Sequence, residues 1–136
     1  MSILDGVKLL SSLSEAEKEN LALFCQEKQL LAGEVLFNEE EEASAMYILK
    51  EGNIEISRNS EGEKVVLGEV HAEEILGEMA LFGDTNKRMA TATALKESTL
   101  IVILSFSIKE LTSKHPELMD KIKTIINDRM IVNKNK

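Results

Sequence analysis

From Lys28 to Leu104 the chain is a succession of short, β-rich segments broken by glycines, and this stretch limits the fold more than anything else in it. The apolar runs predict strands at Lys28–Leu31, Glu34–Phe37, Ala45–Lys50, Asn53–Arg58, Lys64–Val70, Ala90–Leu95 and Thr99–Leu104. Ile54 and Ile56 alternate with Glu55 and Ser57, the mark of a half-exposed strand. Leu100 to Leu104 is apolar throughout, so that strand is expected to be covered on both faces. Lys50-Glu51-Gly52-Asn53 and Ser60-Glu61-Gly62-Glu63 are turn sequences between apolar runs and predict hairpins. Many short antiparallel strands with tight turns read as a β barrel or jelly roll.

Both ends return to a helical period. Ser14-Glu15-Ala16-Glu17 is a capping box that predicts a helix to about Phe24, with Leu21, Phe24 and Cys25 on its inner face. Val7-Lys8-Leu9-Leu10 predicts a shorter helical turn before it, with Leu13 packed beneath the cap. After Leu104, Ser107–Lys114 predicts one short helix, and Pro116 suits the first position of another that runs to about Val132. In that helix Leu118, Ile122, Ile125 and Ile126 form one apolar stripe. The predicted class is mainly β with flanking helices: an antiparallel β jelly-roll barrel with an N-terminal helix, a short helix at 78–82 and C-terminal helices. The chain has 136 residues, which suits one domain spanning 1–136.

The charge balance excludes several classes of function. A net charge of −8 argues against nucleic-acid binding, which needs clustered Lys and Arg. The basic tail Asn133-Lys134-Asn135-Lys136 reads as a frayed, solvated end. No apolar run is long enough for a membrane span, and the N-terminus lacks the basic and apolar blocks of a signal peptide. The single cysteine, Cys25, excludes an internal disulfide, fits a reducing cytoplasm and reads as a small buried hydrophobe. A metal enzyme would need a cluster of ligands, and the two histidines, His71 at a strand end and His115 as a helix cap, do not supply one. No metal and no catalytic activity are expected.

One constellation carries chemistry. Gly77-Glu78-Met79-Ala80-Leu81-Phe82 combines a residue that turns sharply with one or two turns of good helix former. Free amides at such a helix start favour an anion. Glu78 would be repelled by that anion, so a sugar hydroxyl is its better partner. Arg88, ten positions after Glu78, offers the forked donors that match a phosphate, and the small Ala90 and Ala92 leave room beside it. Taken singly, Glu78 reads as a solvated helix-start carboxylate and Arg88 as a surface arginine. Together they read as a site for a phosphate-bearing sugar.

The set Gly77, Glu78, Met79, Ala80, Leu81, then Arg88, Ala90 and Thr91 resembles the phosphate-binding cassette of the cyclic nucleotide-binding domain family, the effector domain found in catabolite activator proteins. The resemblance spans about Leu13 to Arg129, with Gly33, Tyr47-Ile48, Gly52 and His115-Pro116-Glu117-Leu118 in matching places. It implies a non-catalytic, cytoplasmic sensor that binds a cyclic nucleotide. The ligand-binding residues it implies are Gly77, Glu78, Met79, Ala80, Arg88, Met89 and Ala90. Arg88 and amides near Ala80 and Ala90 would take the phosphate, and Glu78 the ribose 2′-hydroxyl. Met89 stands where cGMP-selective relatives carry Thr or Ser, which favours cAMP over cGMP.

Transcription factors of the family continue into a helix-turn-helix, whereas this chain stops at Lys136. The expectation is therefore a stand-alone module, with output through its C-terminal helices to an unidentified protein partner or to a homodimer. Ile126, Met130 and Val132 are the residues nominated for that dimer contact. The alternative is the same fold with an empty pocket, an interaction module acting through the C-terminal helix. The chain departs from the family at Lys87, where Pro is usual, and at Glu40 and Glu73, where Gly is usual. Glutamates there predict turns built differently from the family's. The acidic run Glu39-Glu40-Glu41-Glu42 reads as a solvated loop.

Overall fold

The fold follows from where eight strands place their apolar faces. The structure is a computed structural model that describes residues 3, 4 and 6–134, with side chains described through Met130. A 3-10 turn at Lys8–Leu10 precedes helix α1 (Glu15–Ala22). Strands β1 (Cys25–Leu30), β2 (Val35–Phe37), β3 (Ala45–Glu51), β4 (Asn53–Ser60), β5 (Glu63–His71) and β6 (Ile75–Leu76) follow. The short helix α2 (Glu78–Leu81) interrupts them. Then come β7 (Thr91–Ala94), β8 (Ser98–Leu104), α3 (Ser105–Lys114) and α4 (Pro116–Lys134).

The strands form two four-stranded antiparallel sheets, ordered β1-β8-β3-β6 and β2-β7-β4-β5. This is the jelly-roll arrangement the sequence predicts. Strand β8 shows why it is stable. Leu100 faces one apolar cluster with Leu30, Leu49, Ile54 and Leu76, while Ile101 and Ile103 face another with Met46, Ile108, Leu118 and Ile122. All three β8 residues are fully buried, so both faces of the strand are covered. Each such side chain contributes about 1.5–3 kcal/mol by leaving water.

The capping box forms: Ser14 Oγ accepts from the Glu17 amide at 3.2 Å and Glu17 Oε1 accepts from the Ser14 amide at 3.0 Å. Leu13 is buried beneath it. The helix stops at Ala22, earlier than predicted, and this moves two residues off its inner face. Phe24 is 53% exposed and meets Phe106 edge-on, and Cys25 opens β1, half-buried, with its thiol donating to the Leu21 carbonyl. Burial pushes the Cys25 thiol up to about 11, so it is protonated at neutral pH.

Of the two turns predicted to close hairpins, one does and one does not. Glu61 and Gly62 both take positive φ and close the β4–β5 hairpin, as a two-residue turn requires. The turn at Gly52 makes no hairpin, because β3 and β4 lie in different sheets. Gly52 is needed there: at φ 111 an added Cβ would lie 2.1 Å from Ser98 Oγ. Glu40 and Glu73 do not change their turns. They adopt φ 74 and φ 78, the left-handed region, and hydrogen bonds hold them in it: the Glu40 amide donates to the Arg88 carbonyl at 2.8 Å and the Glu73 amide to Leu49 at 2.6 Å.

In α4, Leu118 and Ile122 are fully buried, and Ile125 and Ile126 pack against the helix-side core. Met130 is 44% exposed. The Val132 side chain and the tail beyond Lys134 lie outside what is described. Among the described residues, no helix is long and apolar enough to cross a membrane.

Candidate functional site

Strand β6, too short to leave a sequence signature, fixes the start of the site. It pairs with Tyr47 and Ile48 of β3 and delivers the chain to Gly77, which caps α2 at φ 81. An added Cβ at Gly77 would lie 2.6 Å from Arg88 Nη1 and 3.4 Å from the Tyr47 ring. The close approach that demands glycine is therefore made by the arginine of the same site.

Arg88 is held at both ends. Its amide donates to the Glu41 carbonyl and its carbonyl accepts from the Glu40 amide, each at 2.8 Å. The neighbouring loop is stitched down by Ala43 and Asn86, whose backbone contact is 2.9 Å. Glu40, Glu41 and Glu42 are exposed, as expected of a solvated run, but their backbone is the rail on which Arg88 rests. At the other end Nη1 donates to Gly77 O at 2.8 Å and Nη2 to Ala45 O at 2.7 Å. The guanidinium lies 4.2 Å over the Phe37 ring and 5.6 Å from that of Tyr47.

Arg88 is only 4% exposed, yet among the described residues no carboxylate lies within ion-pair distance of it. Burial pulls its guanidinium below the ordinary arginine value, opposed by Tyr47, Glu41 and Glu78. A buried cation without a counter-ion is costly. Two of its five donors are used by the carbonyls.

Glu78 is the opposite charge, just as buried but paired through one of its oxygens. It is 1% exposed and begins α2. Its Oε1 accepts from Nη1 of Arg129, which reaches across from α4 and donates through Nη2 to the Ile75 carbonyl. Glu78 Oε2 is buried with no hydrogen-bond partner among the described residues.

These groups open on one cavity of about 380 Å³. Its lining includes all seven residues singled out from the sequence: Gly77, Glu78, Met79, Ala80, Arg88, Met89 and Ala90. Ala92 is not among them; it is fully buried in β7, in the cluster between the sheets. Met89 is 62% exposed, so it belongs to the margin of the cavity and not to the core. The sequence reading missed Arg129, Phe37 and Asp128, which also line the cavity. Arg129 left one signal: it stands four residues after Ile125 and three after Ile126, so it continues the buried stripe of α4 with a charge.

No group of three or more His, Cys, Asp or Glu among the described residues is placed to hold a metal ion. His115 is not among the residues that line the cavity; its Nε2 lies 2.5 Å from Glu17 and its Nδ1 3.1 Å from Glu117.

Comparison with known proteins places this architecture. A sequence model of the cyclic nucleotide-binding domain matches residues 27–115. A Rhodopseudomonas palustris protein described as a potassium channel is 31% identical over 130 residues, covering 94% of this chain and 31% of its own length. A lysophospholipase of Phaeosphaeria nodorum is 28% identical over 129 residues, of which this chain covers 94% of itself and 8% of the enzyme. The chain thus spans less than a third of the curated relatives it matches. The regulatory domain of Toxoplasma gondii PKA, solved with cAMP, superposes with a TM-score of 0.69 at 27% identity over 75% of this chain and 39% of that one. With a matching profile over most of its length and a jelly roll that gathers the cassette residues around one cavity, the chain belongs to the cyclic nucleotide-binding domain family.

Proposed function

We propose that this domain is a non-catalytic sensor whose cavity binds a cyclic nucleotide, cAMP in preference to cGMP, and signals through α4. The observation that carries the reading is a pair of buried groups on one cavity: Arg88, a cation without a carboxylate, and Glu78, paired with Arg129 through one oxygen but with the other unpartnered among the described residues. A cyclic phosphate supplies the anion and the ribose 2′-hydroxyl supplies the donor. The volume of about 380 Å³ lies within the range of small-ligand sites, roughly 300–1,000 Å³. Gly77, Met79, Ala80 and Ala90 provide backbone and small or flexible side chains where the sugar-phosphate would pass.

The preference for cAMP rests on Met89, whose thioether offers no hydroxyl to a guanine amino group. The Toxoplasma relative solved with cAMP supports the same choice. The single cysteine favours the cytoplasm. Output would pass to a protein partner or to a second copy meeting at the exposed end of α4, where Met130 stands.

Calorimetric titration with cAMP and with cGMP is the direct test. Saturable binding of cAMP, tighter than that of cGMP, is expected. Absence of binding by either nucleotide would leave an interaction module with an empty pocket.

A further inference from the structure

We propose that the groove between α1 and α3 receives residues 130–136 of a second copy of this chain. The inference rests on the reading that output passes to a second copy, and it names the surface that copy meets. It does not depend on what the nucleotide cavity binds.

Two helical stripes make the groove. Leu21 and Phe24 at the end of α1 face Ser107 and Leu111 of α3, at the three- and four-residue steps of one helix face. Between them lies a second cavity, of about 240 Å³. One end is bridged by Phe24 and Phe106, edge to face with ring centroids 5.8 Å apart, and the other by His115 against Glu17. The volume is below the roughly 300–1,000 Å³ of most small-ligand sites, so it suits inserted side chains better than a whole ligand.

The groove is unfinished in two respects. Phe24 and Phe106 are 53% and 56% exposed, and neighbouring Leu23 is 77% exposed. Ser107 is only 7% exposed, yet its hydroxyl has no hydrogen-bond partner among the described residues. An occupant therefore needs both apolar side chains and a polar group to meet the hydroxyl.

Residues 130–136 have that chemistry. Met130, Ile131 and Val132 are apolar, Asn133 and Asn135 carry amides, and Lys134 and Lys136 carry charge with no acid among them. Methionine sulfur packs well on aromatic rings such as Phe24 and Phe106. The lengths agree: the eight residues of α1 make a wall of about 12 Å, and seven residues at a helical rise span about 10 Å. The α1 wall holds Glu15, Glu17 and Glu19 against one lysine, Lys18, while Glu110 and Lys114 on the α3 wall pair with each other. Two copies of a chain with net charge −8 repel, and the contact least opposed is the one that sets this basic segment on an acidic wall.

Reach decides which copy supplies the segment. The groove ends at His115, next to the start of α4, and the 19 residues of α4 carry Lys134 about 28 Å from that start. Asn135 and Lys136 span at most about 7 Å, too little to return along a groove of about 12 Å. The occupant is therefore the segment of another copy.

Sedimentation over a concentration series tests this with the wild type, Phe106→Asp, Met130→Asp and an equimolar mixture of the two variants. The wild type is expected to dimerise. Phe106→Asp and Met130→Asp should each weaken dimerisation on the order of 30-fold, as loss of an interface anchor does. Lys134→Glu with Lys136→Glu should weaken it only about two- to fivefold, as exposed charge pairs do. Neither of the two anchor variants should self-associate in the range where the wild type does. Their mixture should, more weakly than the wild type, because one variant keeps its segment and the other its groove. That rescue also shows that Phe106→Asp is folded. If Phe106→Asp dimerises like the wild type while Met130→Asp does not, the groove is not the receiving surface, although a second copy still meets α4. A mixture that stays monomeric overturns the pairing of segment with groove. A wild type that is monomeric at high concentration removes both this inference and the second-copy reading beneath it.

Discussion

Arg88 and His115 are both basic side chains at junctions between elements, and they are finished in different ways. His115, where α3 meets α4, has a carboxylate on each ring nitrogen, one from α1 and one from α4. Arg88 is more deeply buried and has carbonyls and aromatic faces but no carboxylate among the described residues. A basic group whose acidic partners come from its own chain fastens the structure. One held in place by neutral groups keeps its charge available to something from outside. The difference lies in the partners and not in the charge itself.

The largest expected effect breaks the open member of that pair. Arg88→Ala should weaken cAMP binding by about 2–5 kcal/mol, roughly 30-fold or more, the range for truncating one partner of a buried charge pair. From sequence this arginine has no structural duty. In the structure its removal strands the Gly77 and Ala45 carbonyls, so thermal stability without ligand should also drop, by about 1–3 kcal/mol. Calorimetry and thermal unfolding read the two effects separately, and retained affinity would show that Arg88 is a fastener after all.

Gly77→Ala sharpens the comparison by moving the guanidinium without deleting it. Its Cβ would clash with Nη1 at a positive φ, costing about 1–2 kcal/mol for the left-handed backbone alone. Affinity should fall together with stability; a variant with unaltered affinity would show that the placement of Arg88 is loose. Met130→Asp asks whether α4 is completed by a second copy. Ile126 was nominated alongside it but packs against the core, so Met130 is the cleaner choice. Sedimentation should show a dimer for the wild type and a monomer for the variant, with cAMP binding kept. A monomeric wild type at high concentration would refute the contact.

The smallest effect concerns His115. Partial burial pulls its pKa down, but hydrogen bonds to Glu117 and Glu17 outweigh this, and the net shift is upward from 6.5. Its stabilisation is therefore complete below about pH 6.5 and lost as pH rises through the folded value. Glu17 is shifted down by the Ser14 backbone and then by His115, and Glu117 by its own backbone and His115. Their contributions persist above the ordinary carboxylate value of 4.5 and fade below it. The melting temperature of the wild type should fall more than that of His115→Gln between about pH 6 and pH 9. Parallel curves would mean the clamp contributes nothing.

Much of this was legible in the chain because it was local or periodic. The capping box, the alternating Ile54 and Ile56 and the apolar run of β8 each report on neighbours a few residues apart. The seven cassette residues were legible because they form one ordered stretch. Arg129 was not, because its partner Glu78 is 51 residues distant and neither residue alone predicts the other. The turn at Gly52 was misjudged for a related reason. Its sequence specifies a reversal, but whether the next strand pairs with the last or crosses to the other sheet is decided by burial far away. Two-residue β6 is held by Tyr47 and Ile48, not by its own composition.

The glutamates at 40 and 73 have a consequence for how such domains are found. Both keep a backbone angle that glycine would adopt more cheaply, and both are held there by hydrogen bonds from their own amides. The shape of these turns is enforced by the surroundings, so residue identity is free to drift while the bend survives. A pattern that demands glycine at these positions would pass over this chain, whereas one written in dihedral angles would retain it. Glu40→Gly would lift the steric penalty, and it would also loosen the strap over the Arg88 carbonyl. The lapse from the family pattern at Glu40 thus stiffens the turn that straps Arg88 in place.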